Sequence, residues 1–266
     1  SDESTYSFTV QGICEDITNP SVWFTSPAAG TYVNGTQTIS FGSSDNVAVV
    51  GVQAQINGAG YGADILTGVA INTLPGWLAA PEGNITIDLQ ARDSVPLYGY
   101  AALVLVKDTI QPGVTIDSGG LTHTNAAFTA TITFTEDVTG FDVSDITEAN
   151  CTLSGFTAVS GSVYTVLVTP GAEGAVTLDI AAGVAVDAAT NGNTAAAQLS
   201  VTYDITQPGV SIDSGGLTYT NAAFTATITF TEDVTGFIEG DITIANCTLS
   251  GFTAVSGSVY TVLVTP

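Results

Sequence analysis

The sequence predicts an all-β fold in which several β-sandwich domains follow one another along the chain. Residues 108–170 recur at 204–266 with 55 of 63 residues unchanged, a shift of 96 positions. Apolar residues alternate with threonine between the connectors, as in half-buried strands, and no segment has a helical period. A period this long indicates a duplicated domain in a tandem array.

The strands can be placed by their two-residue period. In residues 127–135, Phe128, Ala130, Ile132 and Phe134 alternate with threonines. The same period occurs in three later segments: Tyr164, Val166 and Val168; Val176, Leu178 and Ile180; Leu199, Val201 and Tyr203. Gly-rich turns such as 118–120 and 171–174 separate these segments. About seven short strands per repeat are typical of an immunoglobulin-like sandwich, so the predicted fold is tandem immunoglobulin-like β-sandwiches in an extended array.

Three connectors of the form Asp-x-x-x-Pro, at 16–20, 108–112 and 204–208, divide the chain. Proline fixes φ and biases the preceding residue to extended geometry, which makes each connector short and stiff. The predicted domains are a closing strand of a preceding domain at 1–15, a divergent Ig-like domain at 16–107, a repeat at 108–203, and a second copy at 204–266 that is truncated. We expect few contacts across each connector.

The two copies differ at eight positions, which we expect to be solvent-facing drift. They are Thr109/Ile205, Ile110/Thr206, Thr115/Ser211, His123/Tyr219, Asp142/Ile238, Val143/Glu239, Ser144/Gly240 and Glu148/Ile244.

The chain is strongly acidic: 25 Asp and Glu residues face only Arg92 and Lys107, for a formal charge of −23. Most carboxylates must therefore be solvated, bonded to backbone N–H groups, or bound to metal. Nucleic acid and direct contact with an anionic membrane are excluded as partners, because both need a basic face. The absence of Met and the near absence of Lys are typical of a secreted, extracellular chain.

The three cysteines do not make a repeated disulfide framework. Cys151 and Cys247 are one position in two copies, and Cys14 lies alone near the first connector. We expect sheltered thiols; intermolecular bridges are the alternative.

The repeat contains several short motifs in a fixed order. They are Phe134-Thr135-Glu136-Asp137-Val138-Thr139-Gly140-Phe141, Asp145-Ile146-Thr147, Tyr164-Thr165-Val166, the run 181–187, and Asn191-Gly192-Asn193. They resemble the bacterial Ig-like repeats of giant secreted or surface adhesins, with gliding-motility adhesins of Bacteroidota as one specific form. Residues 16–107 resemble another Ig-like subtype through 44–47, 52–53, 56–58, Trp77 and 91–93.

The resemblance implies a non-catalytic stalk at the cell surface that projects a distal binding region. Its partners would be further copies of the repeat in the same chain, and surface glycans or a host or substratum surface reached through the distal domain. Two alternatives stay open. One is a module that itself binds glycan or protein, and the other is a spacer in a secreted glycoside hydrolase.

Strand directions in such a sandwich place three acidic segments at the connector end of each domain. The first domain brings Asp45 and Asp93 next to Asp16. The ligands predicted in the two copies are Asp108, Glu136, Asp137, Asp187 and Asn191 in the first, and Asp204, Glu232 and Asp233 in the second. About 6–8 such oxygens would bind Ca²⁺ and stiffen the junction. The alternative is that these side chains only cap turns.

No catalytic constellation is recognisable, so we predict that the chain is not an enzyme. Glu136 and Asp137 are adjacent at a strand end and should point apart, and His123 is Tyr219 in the sister copy. Ser94 and Thr109 lie in Asp-Ser/Thr-aliphatic triplets that resemble the O-glycosylation pattern of Bacteroidota. The alternative is that both are unmodified.

Overall fold

The structure is a computed structural model that describes residues 15–266. The strand predicted at 1–15 therefore lies outside the described residues apart from Glu15, and Cys14 lies outside them altogether. Two compact units are present, residues 15–203 and the second copy of the repeat from Asp204 to Pro266. The first unit contains two sandwiches, which we call the first domain (16–107) and the middle domain (108–203).

The first domain is a sandwich of two sheets. Its strands are β1 (Ser21–Ser26), β2 (Tyr32–Val33), β3 (Thr38–Ser44), β4 (Val49–Ile56), β5 (Val69–Ala70), β6 (Gly83–Asp93) and β7 (Tyr98–Lys107). One sheet has the order β1-β3-β5 and the other β2-β7-β6-β4. A short 3₁₀ turn, Ile71–Thr73, follows β5. Alternate residues of the long β6 strand, such as Ile85, Ile87 and Leu89, are buried between the sheets.

The middle domain is a sandwich of two four-stranded sheets. Its strands are β8 (Val114–Asp117), β9 (His123–Thr124), β10 (Phe128–Phe134), β11 (Ile146–Ala149), β12 (Cys151–Ala158), β13 (Val163–Pro170), β14 (Gly174–Ile180) and β15 (Leu199–Tyr203). The sheet orders are β12-β13-β10-β8 and β11-β14-β15-β9. All four strands predicted from the two-residue period are therefore confirmed.

The pleat explains the alternation in β10. Phe128, Ala130, Ile132 and Phe134 are buried, whereas the threonines between them face away from the core. Antiparallel pairing sets Ile132 opposite Tyr164 on β13. Four aromatic rings, those of Phe134, Phe141, Phe156 and Tyr164, then meet with centroids 5.0–5.9 Å apart, mostly edge to face. This geometry is favourable for aromatic side chains and fixes the core.

The second copy repeats half of this architecture. Strands β16 (Val210–Asp213), β17 (Phe224–Phe230), β18 (Thr248–Ala254) and β19 (Val259–Thr265) form one sheet of order β16-β17-β19-β18. Ile228 pairs with Tyr260, the same register as in the middle domain. Val210 on β16 is 60% exposed, whereas its counterpart Val114 on β8 is buried between the two sheets of the middle domain.

The differences between the copies lie on the surface, as expected. All eight positions are exposed in the complete, middle copy. Three of them form the loop Asp142 to Ser144, where the Asp142 carboxylate caps the 3₁₀ turn Val143–Asp145 by accepting from the Ser144 N–H at 2.7 Å. The second copy has Ile238 there and a corresponding turn, Glu239–Asp241, with no side-chain cap.

Helical structure in residues 15–266 is limited to these three 3₁₀ turns of three residues each. Among the described residues, no helix has the length and apolar character needed to cross a membrane. Cys151 and Cys247 are free, half-buried thiols. Burial raises the pKa of the Cys151 thiol, and the neighbouring Glu148 raises it further. The thiolate, which is the reactive form, is therefore disfavoured.

We predict that Ile132→Ala destabilises the middle domain by about 2–5 kcal/mol, because it leaves a cavity in a fully buried position. His123→Tyr, which copies the sister repeat at an exposed position, should change the unfolding free energy by less than about 0.5 kcal/mol. Calorimetry of the two variants measures both effects. If both variants lost the same amount of unfolding free energy, the assignment of Ile132 to the core would be contradicted.

Candidate functional site

Three carboxylates of the first domain meet at its connector end. Asp16 lies in the connector, Asp45 in the loop between β3 and β4, and Asp93 is the last residue of β6. One carboxylate oxygen from each lies within 4.8 Å of the other two. We call these three residues the Asp16 cluster. Strand directions in the sequence predicted that these three residues would lie together.

Each of the three side chains is held by backbone N–H groups through one of its oxygens. Asp16 Oδ1 accepts from the Thr18 N–H at 3.1 Å. Asp45 Oδ2 accepts from the N–H groups of residues 47 and 48, both at 3.1 Å. Asp93 Oδ1 accepts from residues 95 and 97 at 2.8 and 3.0 Å, which closes the turn between β6 and β7. These bonds are the Asx turns expected of aspartate in loops.

The other oxygen of each carboxylate is buried and has no hydrogen-bond partner within residues 15–266. These atoms are Asp16 Oδ2, Asp45 Oδ1 and Asp93 Oδ2. Asp93 as a whole residue is only 3% exposed. Buried carboxylate oxygens normally have a partner, so three in one cluster call for an explanation.

Neither cationic side chain of the protein supplies that partner. Arg92 forms an ion pair with Asp64. Lys107 donates to the carbonyl oxygens of Trp77 and Ala80, lies over the Trp77 ring, and is 3.8 Å from Glu82. The Asp16 cluster therefore has a formal charge of −3 with no positive side chain against it.

A second cluster has the same construction in the middle domain. Asp108 of the connector, Glu136 after β10 and Asp187 after β14 each offer an oxygen, and these atoms lie within 4.8 Å of one another. We call these residues the Asp108 cluster. Burial raises the pKa of Glu136, and the carboxylates of Asp108 and Asp187 raise it further.

Asn191 distinguishes the second cluster from the first. Its side-chain amide nitrogen donates to Asp187 Oδ2 at 2.8 Å and to the Asp108 carbonyl oxygen at 3.0 Å. Its backbone N–H donates to Asp187 Oδ1 at 2.8 Å. Asp187, which is only 4% exposed, is therefore satisfied at both oxygens by a neutral residue.

Not every predicted ligand joins these clusters. Asp137 lies elsewhere, because consecutive residues after a strand point to opposite sides. Its carboxylate covers Gly161, so closely that a Cβ added to this glycine would be 2.5 Å from Asp137 Cγ. Asp233 covers Gly257 in the same way.

The remaining predicted ligands belong to the second copy. Asp204 Oδ1 accepts from the Thr206 N–H, and Glu232 Oε1 is buried without a partner. Residues 204–266 correspond to residues 108–170, a range that does not include Asp187.

The loops of the first and middle domains that flank the connector 108–112 make contacts that the sequence did not indicate. Gln37 Nε2 donates to the Ala189 carbonyl oxygen at 3.1 Å, and Asn34 Nδ2 lies 3.4 Å from Thr190 Oγ1. Thr190 has a positive φ of 72°, which is unusual for a β-branched residue. The expectation of few contacts across a connector therefore does not hold here.

The two candidate glycosylation positions differ in their surroundings. Thr109 donates its hydroxyl to Glu82 Oε1 at 2.7 Å, and its N–H donates to Glu82 Oε2 at 2.9 Å. Ser94 is exposed in the turn after β6. Thr109 is exposed as well, but a modification of its hydroxyl would break the first of these bonds.

The chain belongs to a family of bacterial Ig-like domains. The sequence profile of this family matches residues 108–203 and 204–266, together more than half of the chain. A second profile, described as a bacterial Ig domain, matches residues 20–73. No curated protein matches the chain.

Among solved structures, the chain is similar to a region of a 1.5-MDa bacterial ice-binding adhesin, with 13% identity over 92% of this chain and 87% of that one and a TM-score of 0.36. It is also similar to invasin, a bacterial integrin-binding protein, with 13% identity, 93% and 54% coverage and a TM-score of 0.35. A tetra-tandem repeat from the extending region of a large adhesion protein gives 20% identity, 80% and 56% coverage and a TM-score of 0.31. The chain spans about half the length of the last two structures.

We predict that Glu136→Gln stabilises the middle domain at neutral pH in metal-free buffer. The pKa of Glu136 is raised in the folded state, so the folded state binds its proton more tightly than the unfolded state does. Ionisation of this carboxyl group therefore lowers the free energy of unfolding as pH rises above about 4.5. Below that pH the group is protonated in both states and has no such effect. The melting temperature of Glu136→Gln should exceed that of the parent by up to a few degrees at pH 7 and match it near pH 4.

Glu148→Gln is the matched control, because Glu148 is exposed and lies outside the cluster. Melting curves followed by circular dichroism between pH 4 and 8 make the comparison. If the melting-temperature difference between Glu136→Gln and the parent did not vary with pH, the Asp108 cluster would not repel the Glu136 carboxylate as we infer.

Proposed function

We propose that this chain is part of the non-catalytic stalk of a long, repetitive cell-surface adhesin, which projects a distal binding region away from the cell. The observation that carries the proposal is the near-identity of two bacterial Ig-like copies whose differences all lie on the surface. The place of action is outside the cell, and the immediate partners are further copies of the repeat in the same chain.

The position of the differences favours a spacer over a recognition module. A module that binds a partner through its loops needs particular surface side chains, whereas a spacer needs a folded core and a fixed length. The core residues of β10 and β13 are the same in both copies, while the exposed loop Asp142 to Ser144 has changed at all three positions. This is the pattern expected when folding alone constrains the sequence.

Charge and connectors also suit an extended array. Neighbouring acidic domains repel one another within a Debye length of about 10 Å at 0.1 M salt. Proline in each connector limits the bending of the chain at the same point. Strands of about seven residues, with their end loops, give each domain a length of about 40 Å. One specific form of the proposal is a filamentous gliding-motility adhesin of Bacteroidota.

Glycan binding is the second candidate function. A shallow groove on the first domain is lined by Tyr61, Asp88 and Tyr100. The Tyr100 hydroxyl accepts a hydrogen bond from Gln90 Nε2 at 3.0 Å, which orients the ring. Aromatic rings beside polar groups form a surface that can stack on a sugar. A role as the spacer of a secreted glycoside hydrolase is the third candidate, and it would require a catalytic domain elsewhere in the protein.

Small-angle scattering of the full chain tests the stalk. Three domains in a row give a rod of about 120 Å and a radius of gyration above about 30 Å. Domains packed side by side would give a radius near 18 Å, the value for a compact chain of this length, and would contradict the proposal.

Deletion of residues 108–203 provides the matched control for that measurement. It removes one repeat and places Asp204, with the connector 204–208, directly after Lys107, so the pattern of connectors is retained. A stalk should shorten by about 40 Å. Tyr100→Ala, in contrast, should leave the dimensions unchanged, and a loss of glycan binding in this variant would favour the second candidate.

A further inference from the structure

We propose that Asp16, Asp45 and Asp93 form a binding site for one Ca²⁺ ion at the connector end of the first domain. The ligand class is a hard divalent cation bound by oxygen. This site is independent of the stalk function, because it depends only on the geometry and charge of the first domain.

The unpartnered oxygens are the main evidence for a bound cation. Each carboxylate already caps its turn through one oxygen, so turn capping accounts for only half of each side chain. The second oxygens are buried and accept no hydrogen bond from the part of the chain that the structure describes. Leaving a buried charged acceptor without a partner costs more than leaving a neutral one. A single cation bound by all three oxygens would explain why none of them has a hydrogen-bond partner.

The charge around the cluster supports the same conclusion. Arg92 and Lys107, which are all the Lys and Arg of the chain, are engaged with Asp64, Glu82 and backbone carbonyls. Three like charges held this close repel one another strongly outside bulk water. A divalent ion would neutralise most of the negative charge of the cluster. No Lys or Arg side chain does so.

Three carboxylates from three different segments suit calcium better than magnesium. The candidate oxygens lie within 4.8 Å of one another. Oxygens bound to one Ca²⁺ at about 2.3–2.6 Å can be up to about 5 Å apart, so one Ca²⁺ can reach all three carboxylates. Mg²⁺ is usually bound through only one or two carboxylates and keeps several of its waters. Water and backbone carbonyl oxygens would complete the usual 6–8 ligands.

Binding would join three separate parts of the domain. Asp16 lies in the chain that leads into β1, Asp45 in the loop after β3, and Asp93 at the end of β6. A bound ion would therefore fix the entering chain against both loops. The Asp108 cluster provides an internal comparison, because the Asn191 amide already donates to Asp187 and to the Asp108 carbonyl oxygen.

The test uses the two tryptophans, Trp23 and Trp77, which both lie in the first domain. In the full chain, millimolar Ca²⁺ should raise the melting temperature detected by tryptophan fluorescence by several degrees relative to chelator, because a ligand of the folded state stabilises it by mass action. The same concentration of Mg²⁺ should produce a smaller shift. Calorimetric titration with CaCl₂ should give a Kd of about 10⁻⁴–10⁻³ M.

Asp93→Asn and Asp45→Asn keep an amide oxygen for the turns and remove one charge each. Both should abolish the calcium shift and weaken calcium binding about tenfold or more, since affinity follows the number of ligand charges. Because Asp93 is buried and its variant is at risk of misfolding, Asp45→Asn, in a loop, is the deciding variant.

Two control variants should keep the full calcium shift. Asp117→Asn retains a turn cap to the Gly119 N–H outside both clusters, and Glu136→Gln alters only the Asp108 cluster. A tryptophan-detected melting temperature that is the same in Ca²⁺ and chelator would overturn the proposal. So would an undiminished calcium shift in Asp45→Asn, or loss of the shift in Glu136→Gln alone.

Discussion

The shortage of positive charge is the constraint on which the polar structure of this protein depends. Arg92 and Lys107 both serve the first domain, so residues 108–266 fold with acidic groups and no Lys or Arg at all. Carboxylates consequently bond to backbone N–H groups, and the same Asx turn recurs at Asp16, Asp108 and Asp204. Each such turn uses one oxygen and leaves the other available. When several aspartate-capped turns lie at one end of a sandwich, their second carboxylate oxygens therefore come close together.

The apolar structure depends on the pleat of the strands. Threonine on one side and aliphatic or aromatic residues on the other suffice to bury Ile132 and Phe134 and to expose the threonines between them. Such a pattern tolerates change on its outer side, which is where the two copies differ. A chain of this kind can be lengthened by duplication, since each new unit brings its own core and its own connector.

The sequence alone predicted the strands and most members of the two carboxylate clusters. Period-two segments located β10, β13, β14 and β15, and the alternating direction of strands in a sandwich grouped Asp45 and Asp93 with Asp16. The same reasoning failed for Asp137, because it fixed the loop but not the side to which each of two adjacent side chains turns. The bonds from Gln37 to the loop around Ala189 depend on how two domains meet, which no local pattern encodes. Asn191 was grouped correctly, but its role as a donor to Asp187 requires side-chain geometry.

The connector end is where this acidic, cation-poor chain gathers carboxylates that have no positive side chain beside them. The most direct measurement is anomalous scattering from crystals of the full chain grown in millimolar Ca²⁺, with data collected at a wavelength where calcium scatters anomalously. We expect a peak about 2.3–2.6 Å from one oxygen each of Asp16, Asp45 and Asp93. Ordered carboxylates at these three residues without an anomalous peak between them would contradict the account.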